Sequence, residues 1–84
     1  SDLFLSTAAP PSVRVMGKLV PLDFPTLQKG EVKVLAYSIM DKERIAEFEK
    51  NLEMNLAISE SGIGRFRVNI FVQRAEVGMV VRRI

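Results

Sequence analysis

The sequence predicts an α+β domain built on a mainly antiparallel sheet of about five to six strands, with two helices packed on one face. Three observations point there. Apolar and polar residues alternate with the period of a half-buried strand at both ends of the chain, while the middle switches to helical spacing. Gly and Pro punctuate both ends at short intervals. Three short strands, two consecutive helices and three further strands keep helices apart from strands, which fits an antiparallel rather than a doubly wound parallel sheet. At 84 residues the chain has room for one small domain.

Each element has its own signal. Leu3-Phe4-Leu5-Ser6 forms a short strand that stops at Ala8-Ala9-Pro10-Pro11, because proline lacks the N–H a ladder needs. Val13-Arg14-Val15-Met16 alternates into Gly17, and Leu19-Val20 resumes after Lys18, predicting a hairpin around Met16-Gly17-Lys18. Asn or Asp is the usual residue before such a glycine. Pro21 and Pro25 bracket an extended connection. Val32, Leu35, Ala36, Ile39 and Met40 then form one apolar helical face. Its start is weakly marked, since Gln28 is an indifferent cap and Gly30 costs up to ~1 kcal/mol in a first turn. Asp41 makes a good N-cap for a second helix over 42–52, with Ile45, Phe48 and Leu52 as its inner stripe. Lys42, Glu43, Glu47, Glu49 and Lys50 form its solvated side.

After Asn51 the period returns to two, with Met54, Leu56 and Ile58 alternating with Asn55, Ala57 and Ser59. Ser61-Gly62-Ile63-Gly64 supplies a turn, and the longest strand follows over 65–73. Phe66, Val68, Ile70 and Val72 take one of its faces; Arg65, Arg67, Asn69, Phe71 and Gln73 take the other. A turn near Arg74-Ala75-Glu76 leads to a last strand from Val77 to Ile84. Leu3 already lies in an apolar alternation and Ile84 closes a strand-like run, so residues 1–84 are expected to be one domain of a longer protein.

Composition removes most catalytic chemistry. The chain has no Cys and no His. A disulfide framework, the usual zinc, haem and iron–sulfur ligand sets, and Ser-His-Asp or Cys-His nucleophiles are therefore out. No apolar run reaches the ~20 residues of a membrane-spanning helix. Gly62-Ile63-Gly64 precedes a strand rather than opening a helix, so it is a hairpin turn and not a phosphate loop. Glu43, Glu47, Glu49 and Glu53 provide no acid–base pair. No catalytic residue is expected in these residues.

The charge distribution is more informative than its net value of +2. Residues 1–60 hold seven basic and nine acidic side chains, whereas 61–84 hold Arg65, Arg67, Arg74, Arg82 and Arg83 against Glu76 alone. All five lysines fall in the first part. Arginine presents a planar fork suited to phosphate and carboxylate oxygens, so an arginine-only tail suggests a directed anion site. The plainer alternative is that these side chains flank strands and keep a sheet edge soluble. Arg65, Arg67 and Asn69 point the same way at steps of ~6.6 Å. Arg82 joins them if the last strand pairs antiparallel with the long one, and Arg83 then faces the opposite side. Such a face suits a triphosphate, a nucleic-acid backbone or acidic residues of a partner. RNA-binding sheets expose two or more stacking aromatics, and here Phe71 alone shares the arginine face of the long strand.

Gly62-Ile63-Gly64-Arg65-Phe66-Arg67-Val68-Asn69, Gln73-Arg74 and Val77-Gly78-Met79-Val80-Val81-Arg82-Arg83-Ile84 resemble the N-terminal domain of type IV pilus retraction (twitching motility) ATPases. Ser1-Asp2-Leu3-Phe4-Leu5-Ser6, Pro10-Pro11 and Arg14-Val15-Met16-Gly17 resemble the start of the same domain. In that family the position of Phe4 is often His and that of Met16 usually Asp or Asn. Phe4 and the last seven residues look more like the accessory PilU branch than the PilT branch.

The resemblance implies a PAS-like domain preceding a RecA-like ATPase domain beyond residue 84, in a cytoplasmic homo-hexamer of the secretion ATPase superfamily at the inner membrane of a bacterium. Nucleotide would lie between the two domains, with Arg67 and Arg82 reaching its phosphates and Arg65, Arg74 and Arg83 ranked after them. ATP and Mg²⁺ would belong to the parent protein, because the P-loop, the Walker B acid and the Mg²⁺-holding residues would follow Ile84. The implied partners are the RecA-like domain, neighbouring subunits, the pilus inner-membrane platform and a related retraction ATPase, with no nucleic acid. Two rival readings are a free-standing PAS-type module, which needs an apolar pocket between helices and sheet, and a nucleic-acid-binding domain, whose binding would fall steeply with salt.

Overall fold

Six strands and two helices follow one another in the order the periodicity predicts. The computed structural model describes residues 2–84. The strands are β1 (Asp2–Leu5), β2 (Ser12–Val15), β3 (Lys18–Pro21), β4 (Glu53–Glu60), β5 (Gly64–Gln73) and β6 (Glu76–Arg83). The helices α1 (Glu31–Ser38) and α2 (Lys42–Asn51) lie between β3 and β4. One sheet contains all six strands in the order β3-β2-β1-β6-β5-β4, and every neighbouring pair is antiparallel. The chain thus leaves one edge of the sheet at β3, crosses through both helices, and re-enters at the opposite edge as β4. The first strand pairs with the last at the middle of the sheet.

Three tight turns set the register. In the β2–β3 hairpin, Met16 (φ 49°) and Gly17 (φ 80°) are both left-handed, as a two-residue primed turn requires. Met16 points into solvent, 98% exposed, so a side chain outside the usual Asn or Asp choice meets nothing there. Arg74 (φ 53°) and Ala75 (φ 65°) form the corresponding turn between β5 and β6, closed by the pair Gln73–Glu76. Ser61-Gly62-Ile63 joins β4 to β5, confirming a hairpin turn.

The core lies between the helices and one sheet face. Val68 and Ile70 of β5, Val77 and Met79 of β6 and Met54 of β4 meet Val32 and Ala36 of α1, Phe48 of α2, Met40 and Leu27. The Tyr37 ring meets Phe48 edge-on at 6.2 Å. Asp41 caps α2 by accepting the Arg44 N–H at 2.9 Å.

Two expected core residues are not in the core. Leu35 is 45% exposed, because the eight-residue α1 turns only the strip through Val32 and Ala36 toward the sheet. Leu52 is 54% exposed: α2 stops at Asn51, and Leu52 serves as a left-handed C-cap (φ 60°) from which the chain turns into β4. The first helix begins at a left-handed Gly30, whose N–H donates to the Glu76 carboxylate at 3.3 Å. Glu76 also accepts from Thr7 Oγ1 at 3.0 Å, so one half-buried acid ties β6 to both the end of β1 and the start of α1.

Candidate functional site

The sheet face turned away from the helices carries a row of charge assembled from four strands. On β5, Arg65, Arg67 and Asn69 alternate with the core residues Val68 and Ile70 and so share the outer face. The register places Arg67 opposite Arg82 of β6, Arg82 opposite Asp2 of β1, and Asp2 opposite Arg14 of β2. Across the sheet the row reads Arg67, Arg82, Asp2, Arg14. Like charges directly opposite one another destabilise a sheet, so the Arg67–Arg82 pair needs an offset. Asp2 supplies one: Arg82 Nε donates to its Oδ1 at 2.9 Å and Nη2 to its Oδ2 at 3.1 Å, a two-pronged ion pair. That pairing holds the Asp2 carboxyl below its usual range and raises the Arg82 guanidinium above its own. Arg14 instead lies over the Phe4 ring, 5.1 Å from its centroid.

One step along the strands, Asn69 donates to Asn55 Oδ1 at 3.0 Å and to Glu53 Oε2 at 3.4 Å. Its amide is therefore drawn toward β4. Among the described residues, Arg65 and Arg67 make no ion pair and no side-chain hydrogen bond. They are the unengaged cations of this face.

Of the five arginines ranked from the sequence, Arg65, Arg67 and Arg82 come together. Arg83 lies on the helix side opposite Phe66, where its Nη2 donates to the Ile63 carbonyl at 3.0 Å and steadies the β4–β5 turn. Arg74 occupies the opposite end of β5, seven residues from Arg67, which is roughly 23 Å at the strand rise. Neither shares the row. Sequence reasoning left Asp2 and Arg14 out of the site. Period two puts Asp2 on one face with Phe4, but only the β1–β6 and β1–β2 registers bring it to Arg82 and Arg14.

Two cavities flank the β5–β6 turn. One of about 320 Å³ opens on the outer face beside Thr7, Phe71, Gln73, Arg74 and Gly78. The other, about 380 Å³, lies at the helix–sheet seam beside Lys33, Tyr37, Glu49 and Val77. At that seam Tyr37 donates to Glu49 at 2.8 Å, and the Lys33 ammonium lies 5.4 Å from the Tyr37 ring centroid. Burial, and then the Glu49 carboxylate, raises the Tyr37 phenol above 10. Among the described residues no three acidic side chains gather to hold a metal ion.

No family model matches the chain. Its full length is nonetheless 43% identical to the type IV pilus ATPase PilU of Pseudomonas aeruginosa, covering 22% of that protein. It is 39% identical over the same 84 residues to the type IV pilus retraction ATPase PilT of the same organism, covering 24% of it. The crystal structure of the pilus retraction motor PilT with bound ADP superposes on the whole chain with a TM-score of 0.91 at 38% identity, over 25% of that structure. The chain spans less than a quarter of the length of these two curated relatives. By fold it is a PAS-like α+β domain of the kind found in ATP-driven motors. By sequence and fold together it is an N-terminal domain of the type IV pilus retraction ATPase kind. The identity to PilU exceeds that to PilT by a small margin, in the direction Phe4 and the last strand suggested.

Proposed function

We propose that this domain belongs to a hexameric, cytoplasmic ATP-driven motor for type IV pilus retraction and twitching motility. In that assembly it contributes Arg67 and Arg82, with Arg65 beside them, to the phosphates of a nucleotide held against a following RecA-like domain. The observation that carries the reading is the cross-strand pair Arg67–Arg82 on the face free of helices, in a chain that matches PilU and PilT from end to end. The ADP bound to PilT agrees with nucleotide use in the parent protein.

The chemistry asked of the domain is electrostatic. Charge on the transferring phosphoryl group spreads over its equatorial oxygens, and arginines presented from one sheet face stabilise it. Because the sheet is stiff, an arginine that meets the terminal phosphate also reports its presence to the orientation of the whole domain. In the parent protein the same reading places the domain beside neighbouring subunits of the homo-hexamer, at the inner-membrane pilus platform and alongside a related retraction ATPase.

The test is ATP turnover by the full-length parent protein carrying Arg67→Ala or Arg82→Ala. Each is expected to lower kcat about tenfold or more, with the thermal midpoint unchanged in Arg67→Ala and modestly lower in Arg82→Ala, which leaves the Asp2 carboxylate without its partner. Wild-type turnover in both variants refutes the assignment. The helix–sheet seam does not favour a stand-alone ligand module equally, since its cavity carries both lysines and glutamates around Tyr37 and defines no single ligand charge.

A further inference from the structure

The Asp2–Arg82 pair joins residues 80 positions apart and is the one two-pronged ion pair among the described residues. Its two partners are unequal. The Asp2 side chain is 16% exposed and seated among its neighbours on β1, whereas Arg82 is 65% exposed and reaches across to it. The acid is therefore the anchor and the arginine the group being held. The direction also matters, because β1 lies on the side of β6 away from β5. Engaging Asp2 turns the Arg82 fork away from Arg67, its like-charged neighbour across the strand pair.

We infer that Asp2 is a positioning residue: its carboxylate fixes Arg82 through Nε and Nη2 and so leaves Nη1, in one fixed plane, as the nitrogen that meets a phosphate oxygen on this face. The inference rests on the proposed reading that Arg67 and Arg82 meet the nucleotide. A guanidinium held on two nitrogens has one plane and one orientation. Without the carboxylate, Arg82 samples its many rotamers and is pushed by Arg67. The hydrogen bond from Arg82 holds the Asp2 carboxyl below its usual range, so the anchor stays charged throughout the neutral range.

The experiment compares steady-state ATP turnover of the full-length parent protein as wild type, Asp2→Asn, Asp2→Glu, Arg82→Ala and the Asp2→Asn/Arg82→Ala double variant, each with its thermal midpoint. The expected result is a three- to tenfold fall in kcat for Asp2→Asn with KM within about twofold, partial recovery in Asp2→Glu, and a double variant no slower than Arg82→Ala alone. Asparagine preserves shape and loses charge, so a merely structural role would leave its kcat intact. Wild-type kcat in Asp2→Asn together with a slow Arg82→Ala overturns the positioning role and leaves the arginine reading standing. A loss in Asp2→Asn that persists in full on the Arg82→Ala background overturns it too, because Asp2 would then act through some other group. Wild-type turnover in Arg82→Ala removes both the positioning role and the assignment of Arg82 to phosphate.

Discussion

Gly78 tests the packing of the outer face more sharply than any arginine does. It sits opposite Phe71 across β5 and β6, and the Phe71 ring covers its backbone. A Cβ added at position 78 would lie 2.7 Å from both Cε2 and Cζ of that ring, closer than real carbon contacts allow. Gly78 has no left-handed backbone requirement, so alanine carries no conformational penalty there. In isolation the change would even stabilise by about 0.4–1 kcal/mol, through a less flexible unfolded chain. The clash opposes this gain, since forcing a methyl into an occupied space costs about 1–3 kcal/mol. Gly78→Ala should therefore destabilise by roughly 1–2 kcal/mol net, a fall of about 5–15 °C in Tm for a domain of this size. In a Phe71→Ala background the obstacle is gone, and the same substitution should be neutral or stabilising by up to ~1 kcal/mol. The assay is a double-mutant cycle by thermal and urea unfolding, followed by circular dichroism, with an expected coupling of about 1.5–3 kcal/mol. An equal cost in both backgrounds, or a gain on the wild-type background, would refute the account of Phe71 as the cover over Gly78.

Two further outcomes follow from the hydrogen bonds at the chain's start and at α2. Asp41→Ala removes the acceptor of the Arg44 N–H and should cost about 1 kcal/mol in urea unfolding, with Asp41→Asn retaining most of it. The exposed Asp41–Arg44 ion pair adds little to that figure. For Asp2 the linkage has a definite sign. Hydrogen bonding to Arg82 lowers its folded pKa below the ordinary 3.8, so its contribution to stability is full above that value and disappears as pH falls through the lower one. The difference in urea midpoint between wild type and Asp2→Asn should thus be constant from pH 7 to about 5 and vanish in stronger acid. A difference that ignores pH would show that the carboxylate's charge does not matter to the fold.

Period and punctuation made most of the fold legible in the sequence. Val68 and Ile70 alternate with Arg67 and Asn69 so regularly that both faces of β5 could be assigned, and Asp41 marked the start of α2. Other features escaped for identifiable reasons. Leu35 and Leu52 fit the helical spacing, but a stripe does not reveal where a helix stops or how wide a strip the sheet covers. Met16 resembled a poor turn residue because composition rules cannot see that its side chain points freely into water. Arg83 shares the arginine-rich run, but composition does not reveal that it lies on the helix side with its Nη2 on the Ile63 carbonyl. In the site, alternation gave the face shared by Arg65 and Arg67, while the acid beside Arg82 lay 80 residues away. Strand order and register are long-range properties, and one sequence does not print them.

The register also changes what the arginine-rich tail can do. Counted from the sequence, residues 61–84 present five arginines against one acid. In the fold, Arg82 is matched by Asp2, Arg83 is spent on a turn, and Arg74 stands at the far end of the strand. The attraction for an anion at the row therefore falls mainly on Arg67 and Arg65, whose charges meet no acid among the described residues. Arg82 adds an oriented donor more than an uncompensated charge. These are distinct contributions: an unpaired cation raises the affinity of a site for any polyanion and weakens with salt, whereas a held guanidinium favours one geometry. Loss of Arg67 should consequently weaken nucleotide binding and turnover together, while loss of Arg82 should fall chiefly on turnover. The antiparallel pairing of the first strand with the last produces this division, because it brings one acid from the start of the chain to one of the arginines at its end.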